Sequence, residues 1–193
     1  SAGYSRAYLG KNMIDEKEQA IFDVDFATVN PYMGSDCVMP FVEDCKKYDK
    51  GIFVLVKTSN KSSGEIQDVK AEDGEEIYKK VAKLVNTWGS ELIGENGYSS
   101  VSAVVGATYP KQLQELRELM PHSYFLIPGY GAQGGKAEDI ALGFDENELG
   151  GIVNATRSLM CAYKSDLWKD KFAEEDYAKA TRAEAIRMRD ELN

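Results

Sequence analysis

The stretch FLIPGYGAQGGKAED, residues 125–139, decides how the rest of this chain is read. Gly129, Gly131 and Gly134 fit G-x-G-x-x-G, with an apolar run before them and helix-forming residues after. Strand, glycine loop and helix in that order form the dinucleotide fingerprint when an acidic residue stands at the end of the next strand, about 20 positions on. The next apolar run, GGIVNATRSLM at 150–160, reads as the last strand and ends in Asn154, Thr156 and Arg157, with no carboxylate among them. Asp145, Glu146 and Glu148 precede that strand and belong at its opposite end. This argues against a dinucleotide. A site for one phosphate fits better: glycines let backbone N–H groups approach an anion, and Arg157 offers a bidentate fork. A surface arginine beside a tight turn fits the same spacing equally well.

Outward from that loop, strand and helix signals alternate. FATVNPY (26–32) reads as a strand stopped by Asn30-Pro31, and SDCVMPFVEDCKKYDK as an amphipathic helix despite Pro40. GIFVLVKTSN (51–60) is an apolar strand ending in polar residues, and GEEIYKKVAKLVNTWGSELI is a helix with apolar residues at i, i+3 and i+4. VSAVVGATYP follows as a strand, then PKQLQELRELMP as a helix bounded by prolines. YFLIPGYG leads into the glycine loop, KAEDIALGF reads as a helix, and EEDYAKATRAEAIRMRDELN closes the chain as another. The first residues, SAGYSRAYLG, read as the body of a helix. The polar segment KSSGEIQDVKAEDGEE reads either as a lid or as an ordinary surface loop.

The pattern is about five strands, each followed by a helix and each apolar on both faces, as in a parallel sheet covered by helices. Polar residues gather at the strand ends: Asn30, Thr58-Ser59-Asn60, Thr108, the glycine loop, Thr156-Arg157. That suits an open doubly wound sheet or a (β/α)8 barrel, and a full barrel needs roughly 250 residues. The chain has 193 residues and reads as a single unit over 1–193, with no linker and no internal repeat.

Composition narrows the partners. Formal net charge is -9 and the pI about 4.8, so long nucleic acid, which needs a basic surface, is excluded as a partner. No apolar run is long enough to span a membrane, so no membrane partner is expected. Cys37, Cys45 and Cys161 are scattered and odd in number, which points to free thiols in the cytoplasm. Cys37 and Cys45 lie on an apolar helical stripe and read as buried. His122, the sole histidine, follows a helix end and precedes a strand, away from the polar strand ends; it reads as a surface or capping residue. No nucleophile triad and no metal cluster emerges. Ser59 and Gln133 read either as turn residues or as neutral groups reaching a polar ligand.

TVNPYMGSD, GIFVLVKTSN, VVGATYP, FLIPGYGAQGG and GGIVNATRSLM, in that order and at these intervals, resemble orotidine 5'-phosphate decarboxylase, specifically its longer bacterial subgroup. The resemblance covers nearly the whole chain, and FLIPGYGAQGG combined with VKTSN is its most specific part. It implies a (β/α)8 barrel, α/β in class, in which this chain supplies about the last five βα units. It also implies a homodimer that converts orotidine monophosphate to uridine monophosphate and CO2 with no metal or organic cofactor.

The resemblance implies roles as well. Ser59, with Thr58 beside it, would hydrogen-bond the pyrimidine, and Pro128 would line the pocket near the base. Gln133 would bridge pyrimidine and phosphate; Gly134, Gly135 and Arg157 would hold the phosphate. The family's catalytic motif, Asp-x-Lys-x-x-Asp-Ile-x-x-Thr at the end of the third barrel strand, departs from the match. SAGYS looks like the helix that follows it, with Tyr4 matching that helix's Tyr, so the motif is expected immediately upstream of Ser1 and no catalytic residue is assigned in this chain. The Asp-x-Lys at Asp68 does not substitute, because it lies on no strand end with the rest of the motif. Strands one to three are expected from another chain or an upstream segment. Two rival readings remain: a non-catalytic nucleotide-phosphate-binding remnant, and a metal-dependent phosphosugar decarboxylase or synthase on the same barrel.

Overall fold

The computed structural model describes residues 1–131 and 135–193. Its centre is a sheet of five parallel strands in the order β3 (Phe26–Val29), β4 (Gly51–Lys57), β5 (Ser99–Val105), β6 (Ser123–Pro128) and β7 (Gly151–Asn154). Between them run α2 (Ser35–Tyr48), α3 (Ile77–Gly89), α4 (Pro110–Leu119) and the short α5 (Ala137–Ala141). Sequential order in the sheet with a helix in each crossover is the βα repeat of an arc of (β/α)8 barrel. The chain closes with α6 (Arg157–Met160) and α7 (Tyr177–Leu192).

Register sorts the side chains into two faces. Pairing of Ile52 with Val101, Val54 with Ala103 and Ala103 with Phe125 puts these residues on one face, continued by Ile127 and Val153. That face is covered by Val38 and Phe41 of α2, Ala82 and Val85 of α3, Leu113 and Leu116 of α4 and Ile140 of α5, which join it in one core. The other face carries Phe53, Leu55, Tyr124 and Leu126, all half-buried, and Ile152, 49% exposed. Among the described residues β3 and β7 each pair with one neighbour. Phe26, on β3, stacks on Phe53 yet stays 46% exposed.

Pro40 sits inside α2 as its sequence requires. A proline has no N–H, so the carbonyl four residues back loses its helical donor. That carbonyl belongs to Asp36, and it accepts from Ser1 Oγ at 3.3 Å. Ser5 Oγ in α1 (Ala2–Tyr8) donates to the carbonyl of Pro40 itself at 3.1 Å. The first helix thus packs on the point where the second is weakest.

One element is new and one expectation changes. Residues 11–25 contain an antiparallel hairpin, β1 (Asn12–Ile14) and β2 (Lys17–Gln19), which the sequence did not signal. Its turn residues Asp15 and Glu16 both have positive φ, 49° and 63°, without the glycine that usually marks such a turn. Its strands are largely exposed, so no apolar alternation marks them either. The last strand, read over 150–160, ends at Asn154, where its partner β6 ends at Pro128. With no further backbone to pair with, the chain turns and Arg157 opens the helical turn α6.

Candidate functional site

Because all five strands are parallel, their C-terminal ends share one rim. Asn30, Thr58-Ser59, Gly106–Thr108, Pro128–Gly131 and Asn154–Ser158 all lie there. Two hydrogen bonds carry the ladder past the strand ends: Gly106 N donates to Lys57 O at 2.7 Å, and Ala107 N to Pro128 O at 2.8 Å. The rim is therefore ordered by backbone pairing, not by loop conformation alone.

A small cavity of about 70 Å³ opens between the last two strand ends, lined by Pro128, Gly129, Tyr130, Asn154, Ala155, Thr156, Arg157 and Ser158. It brings together Pro128 and Arg157, two of the residues expected from the sequence. Among the described residues Arg157 has no ion-pair partner, and Ser158 Oγ is buried without a hydrogen bond. An unpaired guanidinium beside an unsatisfied hydroxyl, in a pocket of this size, suits a tetrahedral oxyanion.

Gly135 does not line this cavity but is paired by its backbone to Gly129 and Gly131. Its N–H donates to Gly129 O at 3.1 Å, and its own carbonyl accepts from Gly131 N at 3.2 Å. A Cβ at Gly135 would stand 2.8 Å from Ala107 Cβ and 2.9 Å from Gly129 O, so only glycine fits this approach. Gln133 and Gly134, expected to contact pyrimidine and phosphate, lie outside the described residues.

Tyr130 ties this loop to the end of the chain. Its hydroxyl donates to Glu191 of α7, and burial together with that carboxylate pushes its pKa up to about 12. Glu191 also receives Arg187, which pairs with Glu184, which in turn accepts from Trp168 Nε1 at 2.8 Å.

Thr58 and Ser59 stand on the same rim, at the end of β4, but do not line the 70 Å³ cavity. Their backbone is held closely. Thr108 Oγ1 donates to Ser59 O at 3.2 Å, and a Cβ on Gly106 would meet Ser59 at 2.8 Å, so this glycine lets the two strand ends touch. Just before them, Lys57 is wholly buried, its Nζ 2.6 Å from Asp68 Oδ1 and 4.4 Å from the Tyr109 ring centroid. The sequence reading overlooked Lys57; its sign was a lysine closing an apolar strand. Gly106 was also overlooked, inside VVGATYP.

The run Asp68-Val69-Lys70-Ala71-Glu72-Asp73 does not assemble a carboxylate–lysine–carboxylate array. Asp68 faces Lys57, Lys70 faces Glu76 at 3.8 Å, and Asp73 binds Lys80. Asp68, Lys70 and Asp73 thus pair with three different neighbours. At the opposite end of the sheet, Asp145 accepts from Tyr98 OH, Asn147 N and Leu149 N, so it is a turn residue far from the rim, as its place before β7 implied. His122 is exposed and its Nδ1 lies 2.9 Å from Gly97 O, again away from the rim. Asn30 caps its own turn, with Oδ1 accepting from Tyr32 N at 3.0 Å. Cys45 is buried, with its thiol pushed up to about 12 by that burial; Cys37 is half-buried, not buried as expected, and Cys161 is exposed.

The family model described as "Orotidine 5'-phosphate decarboxylase / HUMPS family" matches residues 11–165. The chain is 49% identical over 168 residues to an orotidine 5'-phosphate decarboxylase of Caldicellulosiruptor bescii, covering 87% of this chain and 55% of that protein. It is 44% identical over 192 residues to one of Rhodopirellula baltica, covering 100% of this chain and 62% of that protein. Among solved structures, the OMP decarboxylase of Leishmania donovani superposes with a TM-score of 0.66 at 29% identity, over 93% of this chain and 62% of its own. The UMP synthase of the same organism gives 0.68 at 30% identity, over 95% and 35%. The chain thus spans a little over half the length of the curated relatives it matches. With the parallel arc, the glycine loop and the Arg157 cavity in the same order as the sequence motifs, the chain belongs to the orotidine 5'-phosphate decarboxylase / HUMPS family.

Proposed function

We propose that this chain carries the phosphate- and pyrimidine-binding part of an enzyme that converts orotidine 5'-phosphate to uridine 5'-phosphate and CO2, without metal or organic cofactor. The observation that carries the reading is Arg157, unpaired among the described residues, in the cavity it shares with the Pro128–Gly129 turn and Ser158. Gly134, Gly135 and Arg157 hold the phosphate, Gln133 spans phosphate and base, Ser59 with Thr58 contacts the pyrimidine, and Pro128 lines the base pocket. The similarity of the chain as a whole to orotidine 5'-phosphate decarboxylases supports the reading.

In the reaction the bond from C6 to the carboxylate breaks, its electron pair stays on C6, and a proton replaces CO2. The residues of this chain contribute through binding. Phosphate contacts remote from C6 favour the transition state when they hold the substrate in a closed, dry site. The charged groups at C6 are assigned to the family's Asp-x-Lys-x-x-Asp-Ile-x-x-Thr motif on a third barrel strand, and residues 1–193 form one partial barrel of strands four to eight that is completed by the remaining strands. The half-open face of the sheet, with Phe26 and Ile152 exposed, supports that completion. The working protein is a cytoplasmic homodimer in this reading.

The test is the natural full-length protein carrying this sequence, assayed for CO2 release from orotidine 5'-phosphate in the presence of a chelator. Turnover supports the reading. Binding of uridine 5'-phosphate without CO2 release replaces it with a non-catalytic nucleotide-binding protein, and turnover of a sugar phosphate that the chelator abolishes replaces it with the metal-dependent phosphosugar enzyme.

A further inference from the structure

The segment 61–76 raised the question of lid or plain loop. Its first part is neither loose nor detached. A 3-10 turn at Lys61–Glu65 leads to Gln67, whose N–H donates to Ser63 O at 2.9 Å and whose carbonyl accepts from Tyr78 N at 3.0 Å. Gln67 is therefore held on both sides by backbone, between the turn and the start of α3. Beside it, Asp68 grips the buried Lys57.

From this fixed base the Gln67 amide reaches back nine residues to Thr58. Oε1 accepts from Thr58 N at 3.0 Å, and Nε2 donates to Thr58 Oγ1 at 2.8 Å. Thr58 Oγ1 donates onward to Asn60 Oδ1 at 2.6 Å, and Asn60 Nδ2 to Ser62 Oγ at 3.2 Å. The directions are mutually determined. The Thr58 N–H needs an acceptor, so the amide oxygen faces it; the nitrogen then faces the hydroxyl, whose proton is left for Asn60. Ser59 lies between the two anchored residues, seated on Gly106 and held at its carbonyl by Thr108. Among the described residues nothing hydrogen-bonds Ser59 Oγ, although the backbone on either side of it is immobilised.

We propose that Gln67 is a positioning residue for the pyrimidine subsite: its side-chain amide takes the place of a strand partner for Thr58 and so aims Ser59 at the base. The inference rests on the reading of Ser59 as the base contact. Gln67 touches no substrate; it acts through Thr58. The segment 61–69 is then a fixed wall of the site, and specificity for the base depends on a glutamine that no motif of the strand ends contains.

The experiment measures binding of two probes, uridine 5'-phosphate and ribose 5-phosphate, to the natural full-length protein and to its Gln67→Ala, Gln67→Glu and Ser59→Ala variants. Both probes carry the phosphate; only the first carries a base. Gln67→Ala is expected to weaken uridine 5'-phosphate about tenfold or more while leaving ribose 5-phosphate within about twofold, and the Ser59→Ala/Gln67→Ala double variant is expected to lose little beyond either single change. Gln67→Glu keeps the acceptor for Thr58 N and loses the donor, so it is expected to give a smaller loss with the same selectivity, and it serves if the alanine variant does not fold. Equal weakening of both probes, or unchanged binding of uridine 5'-phosphate when Ser59→Ala weakens it, overturns the positioning role and leaves the pyrimidine reading standing. Unchanged binding in Ser59→Ala overturns the pyrimidine reading and this inference with it.

Discussion

The guanidinium of Arg117 lies 3.7 Å from the ring centroid of Phe125, and each of its hydrogen bonds ends on a backbone carbonyl: Gly143, Met120, Ser123 and Gly150. The residue is 8% exposed, and burial holds its pKa down to about 10, so it remains a cation at neutral pH. It joins the end of α4 to the starts of β6 and β7, at the end of the sheet opposite the rim. Arg117→Ala leaves those carbonyls without donors and is expected to cost about 3 kcal/mol or more. Arg117→Lys recovers little, since one ammonium cannot reproduce a planar fork with several fixed directions. Chemical denaturation of the three proteins measures both; a lysine variant as stable as the parent would contradict the account.

Arg157→Ala removes the cation that lines the 70 Å³ cavity. In the full-length protein it is expected to lower kcat/KM for orotidine 5'-phosphate by about tenfold or more, and to weaken ribose 5-phosphate as well as uridine 5'-phosphate. That lack of selectivity sets it apart from the Gln67 variants. Steady-state kinetics with competitive inhibition by the two ligands reads both effects, and an unchanged kcat/KM sinks the phosphate assignment.

A methyl group at Gly106 has nowhere to go, because its neighbours at 2.8 Å include the backbone nitrogen of Ser59 as well as its Cβ. Backbone held by Thr108 and by the Thr58 network yields poorly. Gly106→Ala is expected to cost about 1–3 kcal/mol and to displace Ser59, lowering affinity for the nucleotide more than for ribose 5-phosphate. Thermal melting and calorimetric titration check the two parts separately.

Glu184 accepts from Arg187 Nε and Nη2, both at 2.9 Å, and from Trp168 Nε1 at 2.8 Å, and its side chain is 9% exposed. The Arg187 bonds come first in holding its carboxyl below the ordinary 4.5. A carboxyl lowered in the folded state contributes stability that is present above its unfolded pKa and is lost as pH falls through the folded value. Docking of α7 is therefore expected to weaken below about pH 4.5, with Trp168 fluorescence reporting the change. Glu184→Gln is expected to flatten that acid slope; an unaltered slope would assign the acid sensitivity elsewhere.

How far the sequence carried depends on the range of the interactions involved. The strands and helices of the arc were legible because apolar runs and 3.6-residue spacing are local signals, and the prolines and glycines that end them act on their own backbone. Arg157 was legible as a candidate by elimination: the strand after the glycine loop ends in a cation where a dinucleotide site needs an acid. The hairpin of residues 12–19 was not legible, because two acidic residues take positive φ without a glycine to announce it. The end of β7 was misread because a strand stops where its partner stops, and the partner is β6, some two dozen residues earlier in the chain.

By itself, then, the sequence determined the alternation of parallel strands and helices and the rim of polar strand ends, consequences of backbone preferences and hydrophobic pattern within short windows. Only the tertiary structure decided which of the polar residues act together. Lys57 meets Asp68, Gln67 turns its amide on Thr58, and Gly106 admits Ser59 because strands distant in sequence lie side by side and a buried donor or charge must find its partner there. The segment that read either as a lid or as an ordinary surface loop is pinned at Gln67 and Asp68 for that reason: burial of Lys57 demands a carboxylate, and the N–H of Thr58 finds its acceptor in Gln67.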